Sequence, residues 1–256
     1  IRSGNAVILR CGSDCLNSSL AIHKAVTEGL AEAGLPADTV QLVPSTDRAA
    51  VGAMLTGLNG NIDLLIPRGG RSLVARVQSD ARVPVLGHLE GVNHLYVHPS
   101  ADPQMAIDVV VNAKMRRVSV CGALETLLID KAIASTLLPR IAEALRAEDC
   151  VLKGDAAARE IVDGMEPTED ADWSAEYLAA ILAVKVVADQ AEAIAHIQTY
   201  ASGHTDGIIA EDAEAAADFL NAIDSAIVVW NASTQYADGG EFGFGGEIGI
   251  STSRLH

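Results

Sequence analysis

The segment 62–81, IDLLIPRGGRSLVARVQSDA, carries the pattern that decides the fold. Its first six residues form an apolar run that predicts a strand over 62–67, and the residues after the two glycines predict a helix. A strand that runs directly into a helix is half of a β-α-β unit, in which successive strands lie parallel. The segment therefore predicts a parallel sheet.

The alternation of strand and helix continues on both sides of this segment. Ser13 is predicted to cap the first helix, and 149–177 is predicted to be a loop with short elements. Strands are predicted at 7–9, 39–43, 83–89, 94–99, 181–187, 207–210 and 226–231, and helices at 13–33, 47–58, 103–113, 131–148, 189–200 and 213–223. This order predicts an α/β protein.

Composition limits the functional classes. The chain has 256 residues, 49% of them hydrophobic, so one large or two ordinary globular domains are expected. A net charge of −16 argues against nucleic acid as a partner. The sequence shows no span of membrane length and no leader, which predicts a cytoplasmic protein. Four scattered cysteines predict free thiols.

One of these cysteines lies in 116–130, RRVSVCGALETLLID. Cys121 follows a short extended run and precedes the small residues Gly122 and Ala123. A thiolate is a nucleophile, and positive charge such as that of Arg116 or Arg117 favours its formation. A buried cysteine that packs as a small apolar side chain is the commoner case. Taken alone, the local pattern favours packing.

The motif PRGGRS, 67–72, lies where the third predicted strand meets a helix. Ligands of open α/β sheets bind at such places, and Arg68 and Arg71 suit an anion. A glycine turn with two solvated arginines explains the motif equally well, since the chain has no GxGxxG fingerprint.

A cluster of possible metal ligands lies in 87–98, GHLEGVNHLYVH. Its members are His88, Glu90, His94 and His98, which have no standard ligand spacing, so no metal site is expected. Cys11 and Cys15 are expected to be packing residues. Glu176 could bind a ribose hydroxyl, although a solvated carboxylate is the simpler interpretation.

Five stretches in order resemble one family. They are IPRGGRSLVARVQ, VPVLGHLEGVNHLYV, NAKMRRVSVCGALETLLID, YASGHTDGIIAED and EFGFGGEIGISTSRLH. The chain resembles the gamma-glutamyl phosphate reductases, a branch of the aldehyde dehydrogenase superfamily, over essentially its whole length. The resemblance implies an α/β, aldehyde dehydrogenase-like fold. Its Rossmann-type parallel-sheet cofactor domain would be partial and cover 1–92, and an α/β catalytic domain would cover 93–256.

The resemblance implies an oxidoreductase that uses NADPH to reduce L-glutamyl 5-phosphate to glutamate 5-semialdehyde with release of phosphate, a step of proline biosynthesis. Cys121 would be the nucleophile, and its backbone N–H would stabilise the oxyanion. Because this reaction needs no base to activate water, Glu90 has no such role. Family members commonly form homo-oligomers.

The resemblance also assigns binding residues. Arg10 would lie near the adenosine ribose, where its charge favours the 2′-phosphate of NADPH. The other cofactor residues would be Arg68, Gly69, Gly70, Ser72 and Glu176, and the substrate pocket would be bordered by Asn231, Gly243 and Gly245.

Two departures from the family pattern matter. Gly122 stands where the family has asparagine, and an N-terminal third and a short C-terminal extension of the family are absent. If the sequence is the whole polypeptide, we expect it to be inactive or unstable, with an unpaired sheet edge. The alternatives are a hydrolytic aldehyde dehydrogenase with Glu90 as base, and an inactive nucleotide-binding fragment.

Overall fold

The chain forms two compact units. The computed structural model describes residues 3–253, so the last three letters of the tail motif, 254–256, lie outside the described residues. Among described residues the first unit comprises 3–65 and Val77–Pro84, and the second comprises Ile66–Arg76 and 85–253.

The first unit contains a β-α-β arrangement, as predicted. Strands β1 (Val7–Leu9) and β2 (Val40–Leu42) pair in parallel and are joined by helix α1 (Leu16–Glu32). Helix α2 (Arg48–Leu55) follows, and its N-cap Asp47 accepts the backbone N–H of Ala49. The predicted cap of α1 at Ser13 is wrong, because the N-cap is Cys15 and it makes no side-chain cap bond. Helix α3 spans Arg71–Asp80, of which residues 77–80 belong to the first unit and 71–76 to the second.

The second unit is built on a seven-stranded sheet in which all pairings are parallel. Its strands are β3 (Asn93–Val97), β4 (Leu124–Asp130), β5 (Val151–Gly154), β6 (Glu166–Pro167), β7 (Ile181–Val187), β8 (Thr205–Ile209) and β9 (Ile227–Trp230). Its further helices are α4 (Pro103–Met115), α5 (Lys131–Ala147), α6 (Ala156–Ile161), α7 (Gln190–Tyr200) and α8 (Ala213–Ala222). The strand order is β6-β5-β7-β4-β3-β8-β9, with β4 at the centre.

Helices cover both faces of the sheet. Every residue of β3 and β4 is buried. Alternate residues of a strand point to opposite faces, and accordingly Leu95 and Val97 belong to one hydrophobic cluster with α4 and α5, whereas Tyr96 belongs to another with α7 and α8. Near-continuous apolar strands are typical of parallel sheets buried in this way.

Aspartates start the helices of the second unit that follow the strands. Each of α4 to α8 has an aspartate N-cap whose side chain accepts a backbone N–H of the first turn, which satisfies donors that the helix leaves unpaired. These caps are Asp102, Asp130, Asp155, Asp189 and Asp212. Part of the acidic composition therefore has a local structural use. Within residues 3–253, no helix is long and apolar enough to cross a membrane.

Three predicted segments differ from the structure. The predicted strands 62–67 and 83–89 are extended loops that touch at one backbone bond, from the N–H of Leu65 to the carbonyl of Pro84. Pro67 and Pro84 lack N–H groups, so neither segment can form a full ladder. The run before Cys121 is a turn, and the strand β4 follows the cysteine instead. The region 149–177 does contain short elements, as predicted, namely β5, α6 and β6.

An ion pair is buried beneath the sheet. Nζ of Lys114 in α4 lies 2.6 Å from Oε2 of Glu125 in β4, and both side chains are fully buried. Burial raises the pKa of Glu125 from 4.5 to about 7 despite the opposing charge of Lys114. The folded state therefore holds this proton more tightly than the unfolded chain. The stability from this group is complete below pH 4.5 and is lost as pH rises through about 7.

Breaking this pair should destabilise the second unit. Glu125→Leu leaves the Lys114 charge buried without its partner, so we expect the free energy of unfolding at pH 8 to fall by about 3–5 kcal/mol. The double variant Lys114→Met/Glu125→Leu removes both charges and should lose clearly less. Denaturant unfolding of the three proteins measures this, and equal losses in the single and double variants would contradict it.

Candidate active site around Cys121

Cys121 lies in the turn between α4 and β4, beside a cavity of about 380 Å³. Arg68 and Gly69 of the PRGGRS motif line this cavity together with the cysteine. The cavity is also lined by His88, Ser119 and the tail residues 248–250. Four of the five family-like stretches, including the cysteine stretch and the tail, thus meet at one place.

Gly91, two residues before β3, and Asn93, the first residue of β3, fix the backbone of Cys121. A Cβ added to Gly91 would lie 2.0 Å from the carbonyl oxygen of Cys121, so only glycine fits there. The fully buried Asn93 donates from Nδ2 to the carbonyls of Cys121 and Ala123, each at 2.7 Å. Its Oδ1 accepts the N–H of Thr205 at 3.1 Å. One amide therefore ties the cysteine turn to strands β3 and β8.

The other side of the turn packs on the segment after β9. A Cβ added to Gly122 would lie 3.2 Å from the carbonyl oxygen of Thr234, a tight contact. Gln235 donates to the carbonyls of Ala113 and Arg117 at 2.8 and 3.2 Å. The side-chain amides of Asn93 and Gln235 thus hold the turn. Gly122, which stands where the family has asparagine, contributes no amide side chain.

The charges around Cys121 act in opposite directions. Burial raises the pKa of the Cys121 thiol, and the carboxylate of Glu176 raises it further. The cysteine's own backbone N–H and Arg68 lower the pKa. Arg116 is instead paired with Glu241 and stacked on Tyr236, so the positive charge expected from the neighbouring arginines comes from Arg68.

Two histidines lie close to the thiol. Ligand atoms of His88, Cys121 and His204 are all within 4.8 Å of one another, and the two rings meet edge to face with centroids 4.6 Å apart. Sequence reasoning grouped His88 with Glu90, His94 and His98. Those three instead contact Arg71, Asp206 and Ser100, respectively. His204 was missed, and only its position in the stretch YASGHTDGIIAED pointed to it.

The other predicted site residues have the following positions. Glu176 accepts the N–H of Gly91 at 2.8 Å and so lies at the cysteine turn. Gly70 and Ser72 lie at the start of α3 and do not line the cavity. Arg10 follows β1 in the first unit, where Nη2 donates to the carbonyl of Thr46.

The predicted substrate-pocket residues do not line this cavity. Asn231 exchanges two hydrogen bonds with the backbone of Ala210, at 2.9 Å each, and thereby joins the ends of β8 and β9. Gly243 and Gly245 have φ of 74° and 88° in the exposed glycine-rich loop. That loop precedes residues 248–250, which do line the cavity.

Cys121 lies just before the central strand β4 and beside a cavity. The comparison with known families agrees with this arrangement. The sequence model of the aldehyde dehydrogenase family matches residues 1–158, so the chain belongs to the aldehyde dehydrogenase family. It is 63% identical, over all 256 residues, to the gamma-glutamyl phosphate reductase of Caulobacter vibrioides. The chain spans 62% of that relative's length. The resemblance found in the sequence is confirmed.

Solved structures give the same result for the fold. Gamma-glutamyl phosphate reductase from Thermotoga maritima is 45% identical, with a TM-score of 0.95 over 100% of this chain and 61% of that one. An acetylating aldehyde dehydrogenase from Geobacillus thermoglucosidasius, 20% identical, has a TM-score of 0.68 over 93% of this chain and 60% of its own. The predicted aldehyde dehydrogenase-like α/β fold is confirmed.

The charge balance at Cys121 predicts its reactivity. Glu176→Gln removes a charge that raises the thiol pKa, so alkylation of Cys121 by iodoacetamide at pH 7.5 should be several-fold faster, since about one pKa unit is tenfold in thiolate. Arg68→Ala should slow it. Mass spectrometry of the Cys121 peptide gives the rates. Glu143→Gln, on the exposed side of α5, is the control, and equal rates in all variants would contradict the assignment.

Proposed function

We propose that this chain carries the catalytic cysteine of a gamma-glutamyl phosphate reductase, which reduces L-glutamyl 5-phosphate to glutamate 5-semialdehyde with release of phosphate. The observation that carries the proposal is Cys121 beside a cavity lined by Arg68 and Gly69, in a chain 63% identical to a protein with that name. We further propose that residues 1–92 belong to the dinucleotide-binding domain and 93–256 to the catalytic domain, in a cytoplasmic homo-oligomer.

The chemistry starts at the thiol. The Cys121 thiolate attacks the acyl carbon, the backbone N–H of the cysteine stabilises the oxyanion, and the C–O bond to phosphate breaks to give a thioester. Arg68 is the cation that lines the cavity, and it suits both the thiolate and the departing phosphate. Once the thiol has lost its proton to solvent, no base is needed to complete this half of the reaction, because phosphate is a good leaving group.

The second half returns the thiolate. When bound, NADPH would supply a hydride for the carbon of the thioester held on Cys121. The resulting thiohemiacetal on Cys121 expels the aldehyde and restores the thiolate. Hydrolysis of the thioester would need a carboxylate to activate water. Glu90, which the hydrolytic alternative requires, is 2.5 Å from Arg71 and does not line the cavity, so this contact favours the reductase.

Two observations in the first unit support a site for the adenosine end of a dinucleotide. Arg10 follows β1, at the carboxyl edge of two parallel strands, where nucleotides bind in open α/β sheets. Its Nε is buried and has no hydrogen-bond partner among the described residues. A phosphate oxygen would satisfy that donor, and we assign Arg10 to the 2′-phosphate. Gly70, Ser72 and Glu176 remain candidates for the pyrophosphate and nicotinamide ribose.

The reaction can be tested in reverse with the polypeptide of the complete reading frame that contains this sequence. Glutamate 5-semialdehyde should reduce NADP⁺ only when phosphate is present, followed at 340 nm. Cys121→Ala should lower kcat by at least about 10⁴-fold, because the covalent route is lost. Cys150→Ala, a buried cysteine of the core, is the matched control. Turnover independent of phosphate would overturn the proposal.

Cofactor selection can be tested in the same protein. Arg10→Ala should lower kcat/KM for NADPH about tenfold or more, since a charged hydrogen bond is worth roughly 1.5–3 kcal/mol. The value for NADH, which lacks the 2′-phosphate, should stay nearly constant. The NADH measurement is therefore the control for the NADPH measurement on the same variant. An equal loss with both cofactors would refute the role of Arg10 in cofactor selection.

A further inference from the structure

The thiol of Cys121 and two imidazoles form a compact group of donor atoms. Sγ of Cys121 and one ring nitrogen each of His88 and His204 lie within 4.8 Å of one another. Among the described residues this is the one such group of three or more histidine, cysteine, aspartate or glutamate side chains. The donors come from three separate segments of the second unit, before β3, before β4 and before β8.

In His88 and His204, Nδ1 contacts a protein oxygen, so Nε2 is left for a ligand. Nδ1 of His88 lies 2.8 Å from the carbonyl oxygen of Ile250. A carbonyl can only accept, so Nδ1 carries the proton and Nε2 of the neutral ring has a free lone pair. Metal-binding histidines almost always use their second nitrogen in this way, donating to a carbonyl or carboxylate.

His204 lies in the interior beside a hydroxyl group, which can donate to a ring nitrogen or accept from it. Its Nδ1 lies 2.9 Å from Oγ1 of Thr205. Its Nε2 is buried and has no hydrogen-bond partner among described residues, and the side chain as a whole is 0% exposed. An unsatisfied buried nitrogen costs free energy, and a metal ion held between the three side chains would satisfy it.

We propose that Cys121, His88 and His204 bind one thiophilic divalent cation, with Zn²⁺ as the best match. Thiolate and imidazole are the preferred Zn²⁺ ligands, and three protein ligands leave a fourth position for water or phosphate. Ideal Zn–S and Zn–N distances, about 2.3 and 2.0–2.1 Å, need the side chains to close up by roughly 1 Å. The S–H bond breaks, the S–Zn bond forms and the proton goes to solvent.

Binding of the cation blocks the nucleophile. A thiolate held by Zn²⁺ shares a lone pair with the metal and is a weaker nucleophile, so bound Zn²⁺ should inhibit attack on an acyl carbon and a chelator should reverse the inhibition. This inference does not depend on the proposed reductase activity, because metal binding and thiol protection can be read without a substrate.

The first experiment measures binding of Zn²⁺ alone by competition with a chromophoric chelator, using metal-free protein. We expect one ion per chain, with affinity lowered at least about tenfold by His88→Ala and by His204→Ala. His98→Ala, a partly exposed histidine bonded to Ser100, should bind as the parent does. Circular dichroism checks that each variant folds. Parental affinity in both cluster variants overturns the proposal.

The second experiment needs no variant. Zn²⁺ should protect Cys121, but not Cys11 or Cys15, from iodoacetamide, and a chelator should restore the rate. Co²⁺ in place of Zn²⁺ should give the thiolate-to-metal absorption band of a cysteine-bound ion. Unchanged alkylation of Cys121 at saturating Zn²⁺, or a Co²⁺ spectrum without that band, contradicts the assignment.

Discussion

The close approach of two backbones is the constraint on which the active-site region depends. Gly91 and the carbonyl of Cys121 are so near that a single methyl group between them would overlap the oxygen. The buried amide of Asn93 then holds the two carbonyls on either side of Gly122. Because these contacts come from the buried Gly91 and from Asn93, the first residue of the fully buried β3, the position of the nucleophile is set by the sheet and not by a surface loop.

The same constraint creates the electrostatic conflict at the thiol. Holding the cysteine against the sheet buries it, which raises its pKa, and Glu176 is held nearby by its bond to Gly91. Arg68 and the cysteine's own N–H oppose this. The raised pKa leaves more of this thiol protonated, which protects it from oxidation, and a ligand or cofactor that changes the local charge would change the fraction present as thiolate.

Much of the fold could be predicted from the sequence because the parallel strands are apolar and bounded by clear helix signals. The strand Ile181–Val187 is an example, since its short run of apolar, mostly β-branched residues predicts a buried strand. Segments 62–67 and 83–89 are also largely apolar, yet Pro67 and Pro84 keep them from forming a full ladder. Cys121 could be identified only through the resemblance to a family. Its partner His204 could not, because no local pattern reveals a contact between residues 83 positions apart.

The order of the sheet has a consequence for how the chain folds. β3 lies between β4 and β8, and β8 begins 108 residues after β3 ends, at Thr205 and Val97. One edge of β3 therefore stays open until β8 has been synthesised, and pairing across such a distance is slow. The cavity wall formed by 248–250 closes later still. A nascent chain thus carries an unenclosed thiol beside an unpaired strand, so this protein should need rapid synthesis of its last strands, or a chaperone, to avoid aggregation and oxidation at the same place.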